Sequence, residues 1–501
     1  MSGPSRAVVV GAGLGGLAVA IRLRLAGWEV SVLERRDEVG GRAGVWREGG
    51  FAFDTGPSHL IGLEPLEALF AAAGTSLEAE LPLVKLEAGC RVRFGDGESL
   101  QLSHDPHALA ADIERLAPGA SPAAARFLAL GSELHRVGMA AVIDRAGLDV
   151  AAGLDPLNWP LLAKGVLWKR LDGLARAYFR DDRLREAFTA HALYMGMDPR
   201  RAPALYALLP AMELESGIHF PRGGMHAIPR ALERVARRLG VAVQTGVAVE
   251  RVIRAGDRAT GVETAQGDRL DADLLVLNAD LPMAYERLLG EAPPRGKRLR
   301  YTCGAFVMLL GVRGKAPELQ HHNLHLPSDM PAYLRHVFDE QRVPDEPLFY
   351  LSAPTRTDPA LAPEGHEAIF VLTPVPNLDS GIDWAKESPR LADRLLGLIE
   401  KRAVPGLRER LVVSRTLAPT DWAQGWSLAR GAAFGLDHGL LQMADMRPRN
   451  RHQRLGNVYF VGASTHPGSG IPLVVTSARH AAERIAREQP APAAAPARCP
   501  A

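Results

Sequence analysis

Residues Gly11 to Gly16, GAGLGG, follow the short β-branched run Ala7-Val8-Val9-Val10, and this junction constrains the fold more than any other stretch. A brief apolar run ending in glycine reads as a buried parallel strand. A helix follows, with Leu17, Ala18, Ile21, Leu23 and Leu25 available for packing and Gly27 as its stop. Glu29 to Glu34 then alternates into a second strand. Gly11 makes the turn, Gly13 lets the backbone approach a pyrophosphate, and Gly16 lets helix and sheet lie close. The helix start offers free N–H groups and partial positive charge to that pyrophosphate. Glu34 stands 18 positions after Gly16, close to the roughly 20-residue offset at which an acid meets a ribose diol. Strand, glycines, helix, strand and acid in that order predict a dinucleotide site on a Rossmann-like α/β domain.

The chain has 501 residues, 47% of them apolar, enough for a large core and two domains, interleaved or in series. Its 59 basic and 57 acidic residues give a formal charge of +2, so no global field recruits nucleic acid. Cys90, Cys303 and Cys499 are far apart and form no CxxC pair, which argues against a zinc knuckle or disulfide framework and fits a reducing, cytoplasmic setting. The N-terminus enters the first strand too soon for a secretory signal. No window approaches the ~18 uninterrupted apolar residues of a membrane-crossing helix. Residues 489–501, rich in proline and alanine, read as a flexible tail. GxSxG, HExxH and P-loop lysine motifs are absent, so hydrolase and kinase chemistry lacks its parts.

A second set of motifs distinguishes flavin from nicotinamide. Val39-Gly40-Gly41-Arg42 continues the glycine loop, and Phe51-Ala52-Phe53-Asp54-Thr55-Gly56-Pro57 follows. Near the other end, Asn457 to Gly462 is an apolar strand ending in glycine, followed by ASTHPGSGIP and a helical run through Arg487. Together with Phe220-Pro221-Arg222-Gly223-Gly224, these segments resemble the bacterial phytoene desaturase and carotenoid desaturase family, within the FAD-containing amine oxidase superfamily. The resemblance spans about residues 5–487 and implies FAD as cofactor. It implies cofactor contacts at Gly11, Gly13, Gly16, Glu34, Arg35, Gly41, Arg42, Pro57, Ser58, Val249, Gly462, Ile471 and Pro472, with Arg42 near the pyrophosphate and Val249 offering backbone groups to the adenine. A helix starting near Ile471 would aim its positive end at a reduced, anionic flavin. The wider superfamily often carries an acid after the strand glycine; Ala463 stands there, which weakens an amine oxidase reading. His466, between Thr465 and Pro467, reads as a loop residue shaping the flavin pocket.

The expected fold is therefore α/β: a discontinuous Rossmann-like FAD-binding domain (1–75, 218–285 and 415–488), with a mixed α+β substrate domain and a helical cap. Gly240 to Val249 reads as a two-strand addition to the cofactor sheet, and Leu274 to Asp280 as a further strand of it. Residues 76–217, rich in alanine, leucine and arginine at helical spacing, are expected to form a separate cap. Within them Trp159 to Arg170 mixes tryptophans, aliphatics and cations, a composition suited to a headgroup layer or to buried packing. Residues 286–414 supply strands, such as Cys303 to Val312 and Ala368 to Pro374, for a sheet beneath the substrate. His321, His322 and His325 read as an exposed or pocket-lining loop rather than a metal site.

The resemblance implies an FAD-dependent carotenoid desaturase, phytoene desaturase-like, that removes two hydrogens from a linear carotene at a peripheral membrane surface. The family alternatives are a 1-hydroxycarotenoid 3,4-desaturase and a C30 diapocarotene desaturase; outside it stand a flavin amine oxidase and a non-catalytic lipid-binding flavoprotein. An apolar substrate calls for few polar catalytic groups, and no base is assigned. Glu213, Glu215 and Arg222 are candidates by neighbourhood alone. The motifs leave open the electron acceptor, the number of steps and the oligomeric state.

Overall fold

A computed structural model describes residues 5–138, 169–294, 296–443 and 446–489. The Trp159–Arg170 segment lies outside these but for its last two residues, and the tail lies outside but for Gln489.

The strand Arg6–Val10 is central in a five-stranded parallel sheet, flanked by Glu29–Leu33 and Leu274–Leu277, with Ala242–Gln244 and Val458–Phe460 at the edges. Side chains alternate between two covered faces, which is why these strands read as continuous apolar runs. Ala7, Val9, Val30, Val32 and Val276 face a helical layer. That layer comprises the glycine-loop helix Leu14–Leu25, the helix Ala227–Arg238 and the C-terminal helix Ile471–Glu488. Val8, Val10, Leu33 and Leu275 face a three-stranded antiparallel sheet, Val249–Ala255, Arg258–Thr264 and Arg269–Asp271. The glycine-loop helix is buried from Leu14 through Ile21, so it shows no single packing stripe, and Leu25 is exposed rather than part of one.

The second sheet has seven strands, in the order Leu411–Leu417, Gly304–Arg313, His366–Val375, Phe349–Ser352, His322–His325, Arg91–Arg93 and Ser99–Gln101. One face, with Phe306, Met308, Ile369 and Val371, packs on the helix Trp384–Arg402. The other, with Val307, Phe370 and Tyr350, meets a helical layer formed in part by Ser121–Gly138, Asp182–Thr189 and Leu208–Ser216.

Four expectations need correcting. Gly240 to Val249 does not add two strands to the cofactor sheet: Ala242–Gln244 joins it, Gly246 turns at φ +73°, and Val249 opens the three-stranded sheet. Residues 76–217 are not helical throughout, because Arg91–Arg93 and Ser99–Gln101 extend the large sheet and Leu83–Lys85 pairs with His219–Pro221. His321, His322 and His325 are not on an exposed loop; His322–His325 is a fully buried strand, paired on both sides. His466 is buried and stacks on His480 of the C-terminal helix, away from the cavity wall. Among the described residues, no helix is long and apolar enough to cross a membrane.

Candidate functional site: a dinucleotide cradle continuous with an apolar floor

The strand Arg6–Val10 ends at Gly11, whose φ of +101° turns the chain into the glycine-loop helix. Glycine is required at Gly16 for another reason: a Cβ there would lie 2.0 Å from the Gly11 carbonyl oxygen. No side chain caps the helix start at Gly13, so its first N–H groups stay available to an anion. The C-terminal helix begins the same way, at Gly470, with no side-chain cap and Pro472 in its first turn. Both uncapped starts open into one cavity of about 720 Å³, lined by Gly13, Leu14 and Gly15 from one end of the chain and by Ser469, Gly470 and Ile471 from the other.

Gly11, Gly13, Glu34, Arg35, Gly41, Arg42, Pro57, Val249, Gly462 and Ile471 all lie on this cavity's wall. Gly16 stands behind the loop it supports. Pro472 lies in the helix turn behind Ile471, and Ser58 lines a separate small pocket with Phe220 and Ser352, its hydroxyl 3.1 Å from His59 Nδ1. Glu34 is buried; its carboxylate accepts from the Ala12 N–H at 2.8 Å and the Arg36 N–H at 3.0 Å. A carboxylate has lone pairs to spare after two such bonds, enough to meet a ribose diol. Arg42 donates to the Ala433 carbonyl at 3.1 Å, and Arg35 to the Ser427 hydroxyl at 2.7 Å. The loops after residue 415 thus close over the glycine end.

Several wall residues carried no sequence signal. Asn278, just beyond the strand Leu274–Leu277, donates to the Gly11 carbonyl at 3.2 Å, and its amide would collide with a Cβ at Gly13 or Gly15. Its place could have been found, since ligands in parallel sheets sit beyond the strands' carboxyl ends. Asp280 accepts from the Ala429 N–H at 3.0 Å and from the Ser464 hydroxyl. Trp426 donates to the Gly41 carbonyl at 3.0 Å, and Arg36 lies 4.7 Å above its ring. Nothing local in the sequence marks Trp426.

Beyond the glycines the wall turns apolar, with Ala305, Val307, Phe370, Leu372, Trp422 and Phe434. Val307 pairs with Leu372, and Leu372 with Tyr350, so the sheet face under the cavity runs on across adjoining strands. Ala463 lines the cavity where an acid would otherwise stand; its carbonyl accepts from the fully buried Arg447, which also holds the Thr465, Leu436 and Asp437 carbonyls. Of the three candidates near the PRGG segment, Glu215 is exposed and accepts from Ser132, and Arg222 reaches the Thr357 carbonyl at 3.5 Å. Glu213 alone is fully buried.

A family model described as flavin containing amine oxidoreductase matches residues 14–486. That match sets the class, a flavin-dependent oxidoreductase. The solved structure of a putrescine oxidase aligns with a TM-score of 0.64 at 17% identity, covering 97% of this chain and 99% of its own, and shows the same fold. The zeta-carotene-forming phytoene desaturase of Myxococcus xanthus is 39% identical over 484 residues, 96% of this chain and 93% of the relative. The lycopene-forming phytoene desaturase of Pseudescherichia vulneris is 35% identical over 482 residues, 95% and 97% of the two chains. The chain belongs to the phytoene desaturase family of the flavin containing amine oxidoreductases. Its cofactor is FAD, and the cradle fits it: glycines with no room for a Cβ, a buried acid on the wall, and two uncapped helix starts.

Removing the Glu34 side chain leaves the Ala12 N–H without its partner and takes the acid from the wall. Glu34→Ala is expected to weaken FAD retention about tenfold or more, the order of a lost charge-assisted hydrogen bond. Absorbance of bound flavin per protein after dialysis measures it.

Proposed function

We propose that this FAD-dependent carotenoid desaturase acts on phytoene, drawing it from a lipid bilayer and introducing C=C bonds that lengthen its conjugated polyene. One observation carries the reading: the dinucleotide cradle and an unbroken apolar sheet face share a single cavity. When bound, the flavin supplies a two-electron acceptor for one hydrogen and its electron pair. The chain's part is to hold the cofactor through Gly11, Gly13, Gly16, Glu34, Arg35, Gly41, Arg42 and Gly462, with Ile471 and Pro472 at the second helix start. Val307, Leu372 and Phe370 hold a hydrocarbon against it and exclude water. In this division residues 1–75, 218–285 and 415–488 carry the cofactor, 286–414 supply the floor, which Arg91–Arg93 and Ser99–Gln101 extend, and the helical part of 76–217 covers the substrate.

An amine oxidase would have to receive a polar, charged substrate, and the apolar floor offers it little. A carotene dissolves in lipid, so the protein must meet a bilayer surface, and no described helix crosses one. Peripheral docking follows, with Trp159 to Arg170 suited in composition to the headgroup layer.

Expression in a cell that accumulates phytoene tests the substrate. Phytoene is expected to disappear and longer polyenes to appear by chromatography and visible absorbance. Phytoene persisting while 1-hydroxycarotenoids are consumed would instead identify a 3,4-desaturase. The purified protein is expected to sediment with liposomes without resisting a salt or alkaline wash as a spanning protein does.

A further inference from the structure

Desaturation leaves a proton to be placed. The carotene gives one hydrogen and two electrons to the flavin; the second hydrogen departs as H⁺, and its C–H electron pair becomes the new π bond. On the cradle wall the buried Glu34 is engaged by the Ala12 and Arg36 N–H groups, and the half-buried Asp280 by Ala429 and Ser464.

A second set of titratable side chains adjoins the cavity through Tyr194, which lines its wall. The Tyr194 ring packs between His59 (centroids 4.8 Å) and His191 (5.1 Å). His191 and Tyr194 come from the 3₁₀ turn Ala190–Met195, and Glu213 from the helix Leu208–Ser216 packed against that turn. His191 Nε2 is 3.4 Å from Glu213 Oε2, and both side chains are almost completely buried. Neither Glu213 oxygen and neither His191 nitrogen has a hydrogen-bond partner. His322, stacked 4.1 Å from His59, shares a 2.5 Å hydrogen bond between its Nδ1 and the Tyr350 hydroxyl on the sheet that floors the cavity. Buried polar groups are nearly always satisfied. A pocket built for a hydrocarbon has no use for so many open ones unless a proton passes through them.

We propose that His191, backed by the Glu213 carboxylate and reached through the Tyr194 hydroxyl, accepts the proton released by the carotene. The Tyr194 oxygen takes the proton from carbon as its own O–H proton passes to an open nitrogen of His191, whose ring packs 5.1 Å away, through a hydrogen bond that the resting side chains do not make and the step must form; tyrosine ends unchanged and His191 becomes an imidazolium paired with Glu213. Tyr194 is the catalytic residue of this set; His191 stores the proton and Glu213 is the positioning residue that stabilises it. The inference rests on the desaturase reading above.

Electrostatics agree. Burial pushes Glu213 toward neutrality, but His191, whose Nε2 lies 3.4 Å from the carboxylate, with the charge influence of His59 and His104, outweighs it and holds the carboxyl below its usual range. His59 is a poor acceptor, pushed down to about 4 by burial. Burial pushes Cys90, Tyr194 and Tyr350 up, with the Glu213 carboxylate adding to it, so they stay neutral. His104, less buried than the others, lies within electrostatic reach of Glu213.

The test is anaerobic reduction of the bound flavin by phytoene in liposomes, followed by stopped flow across pH 6–9, each rate normalised to the flavin still bound. Wild type is expected to lose rate on the acid side as the pair fills with a proton. Glu213→Gln is expected to reduce the flavin about 100-fold more slowly, at unchanged half-saturating phytoene and with that acid limb gone. Tyr194→Phe keeps the packed ring and carries the test should Glu213→Gln fail to fold; a similar loss is expected. Variants that reduce flavin at the wild-type rate with the acid limb intact would overturn the inference while leaving the desaturase reading standing. A wild-type flavin that no carotene bleaches would overturn that reading, and the inference with it.

Discussion

Gly16→Val is expected to yield protein without the yellow of bound flavin, and less stable than wild type. A Cβ at Gly16 would lie 2.0 Å from the Gly11 carbonyl oxygen and 3.1 Å from the Asn278 amide nitrogen. Neither can retreat easily. Gly11 donates its N–H to the Leu33 carbonyl at 2.8 Å, and Asn278 donates to Gly11 and to Val10. The clash therefore displaces the turn at the point where the helix N–H groups would meet the pyrophosphate. Overpacking of this kind costs about 1–3 kcal/mol or more, and a small rotation of the helix start removes an anion site whose worth depends on geometry. FAD retention is expected to fall at least about tenfold. Gly173→Ala provides the contrast: it is exposed in the helix Leu171–Tyr178, its Cβ would meet nothing within 4 Å, and up to about 1 kcal/mol of added stability is expected from helix propensity. Bound-flavin absorbance and thermal melts read both. A yellow Gly16→Val protein with an unchanged melt would mean the loop tolerates what its geometry forbids.

What the sequence revealed and what it hid divide along a physical line. The cofactor sheet was legible because its central strands are short and apolar, Arg6–Val10 running into Gly11 and Leu274–Leu277 into Asn278, and because the glycine spacing reflects contacts made within a few residues. The C-terminal helix was legible for the same reason: GSGIP is a helix start written locally. His322–His325 was not legible. Histidine and asparagine in a row suggest solvent, yet pairing with Phe349–Ser352 and Arg91–Arg93 satisfies the backbone and buries the rings. Partners in the chain from residue 91 to 352 decide that, and no window of a dozen residues contains them. Glu213 was visible only as an acid near PRGG; its burial depends on the turn carrying His191, 22 residues earlier. Trp426 escaped notice because it acts across a loop contact with no repeat or spacing to mark it, and Asp280, read only as the end of a strand that stops at Leu277, gave no sign of its bonds to Ala429 and Ser464.

Those same buried imidazoles are expected to make the fold acid-sensitive well above the pH at which carboxylates protonate. Burial pushes His321 and His325 down to about 3, His325 with help from the charges of Arg93 and Arg402, and drives His322 and His438 well below the ordinary histidine range. Each has a ring nitrogen with no partner, so none gains a bond by protonating in place. In the unfolded chain the same rings titrate near 6.5. Between that value and about 3 the unfolded state binds more protons than the folded one, and stability rises with pH throughout the interval. The contribution is complete above pH 6.5 and is lost as pH falls toward 3. By pH 5 His321 and His325 have each surrendered about 2 kcal/mol, about 4 kcal/mol together, a large share of the 5–15 kcal/mol that holds a typical domain together, and His322 and His438 add in the same direction. Asp54 works in the opposite direction: burial pushes it up to about 6, so it favours the fold as pH falls through that value, by about 1 kcal/mol at pH 5. The imidazoles dominate. Thermal melts at pH 7, 6 and 5 are expected to fall steeply, with flavin released alongside. His325→Leu, which replaces a ring stacked 4.5 Å from Phe349, is expected to remove about 2 kcal/mol of the pH 7 to 5 difference. A stability curve flat from pH 7 to 5 would mean that water reaches these rings and that the sheet face beneath the cavity is not dry.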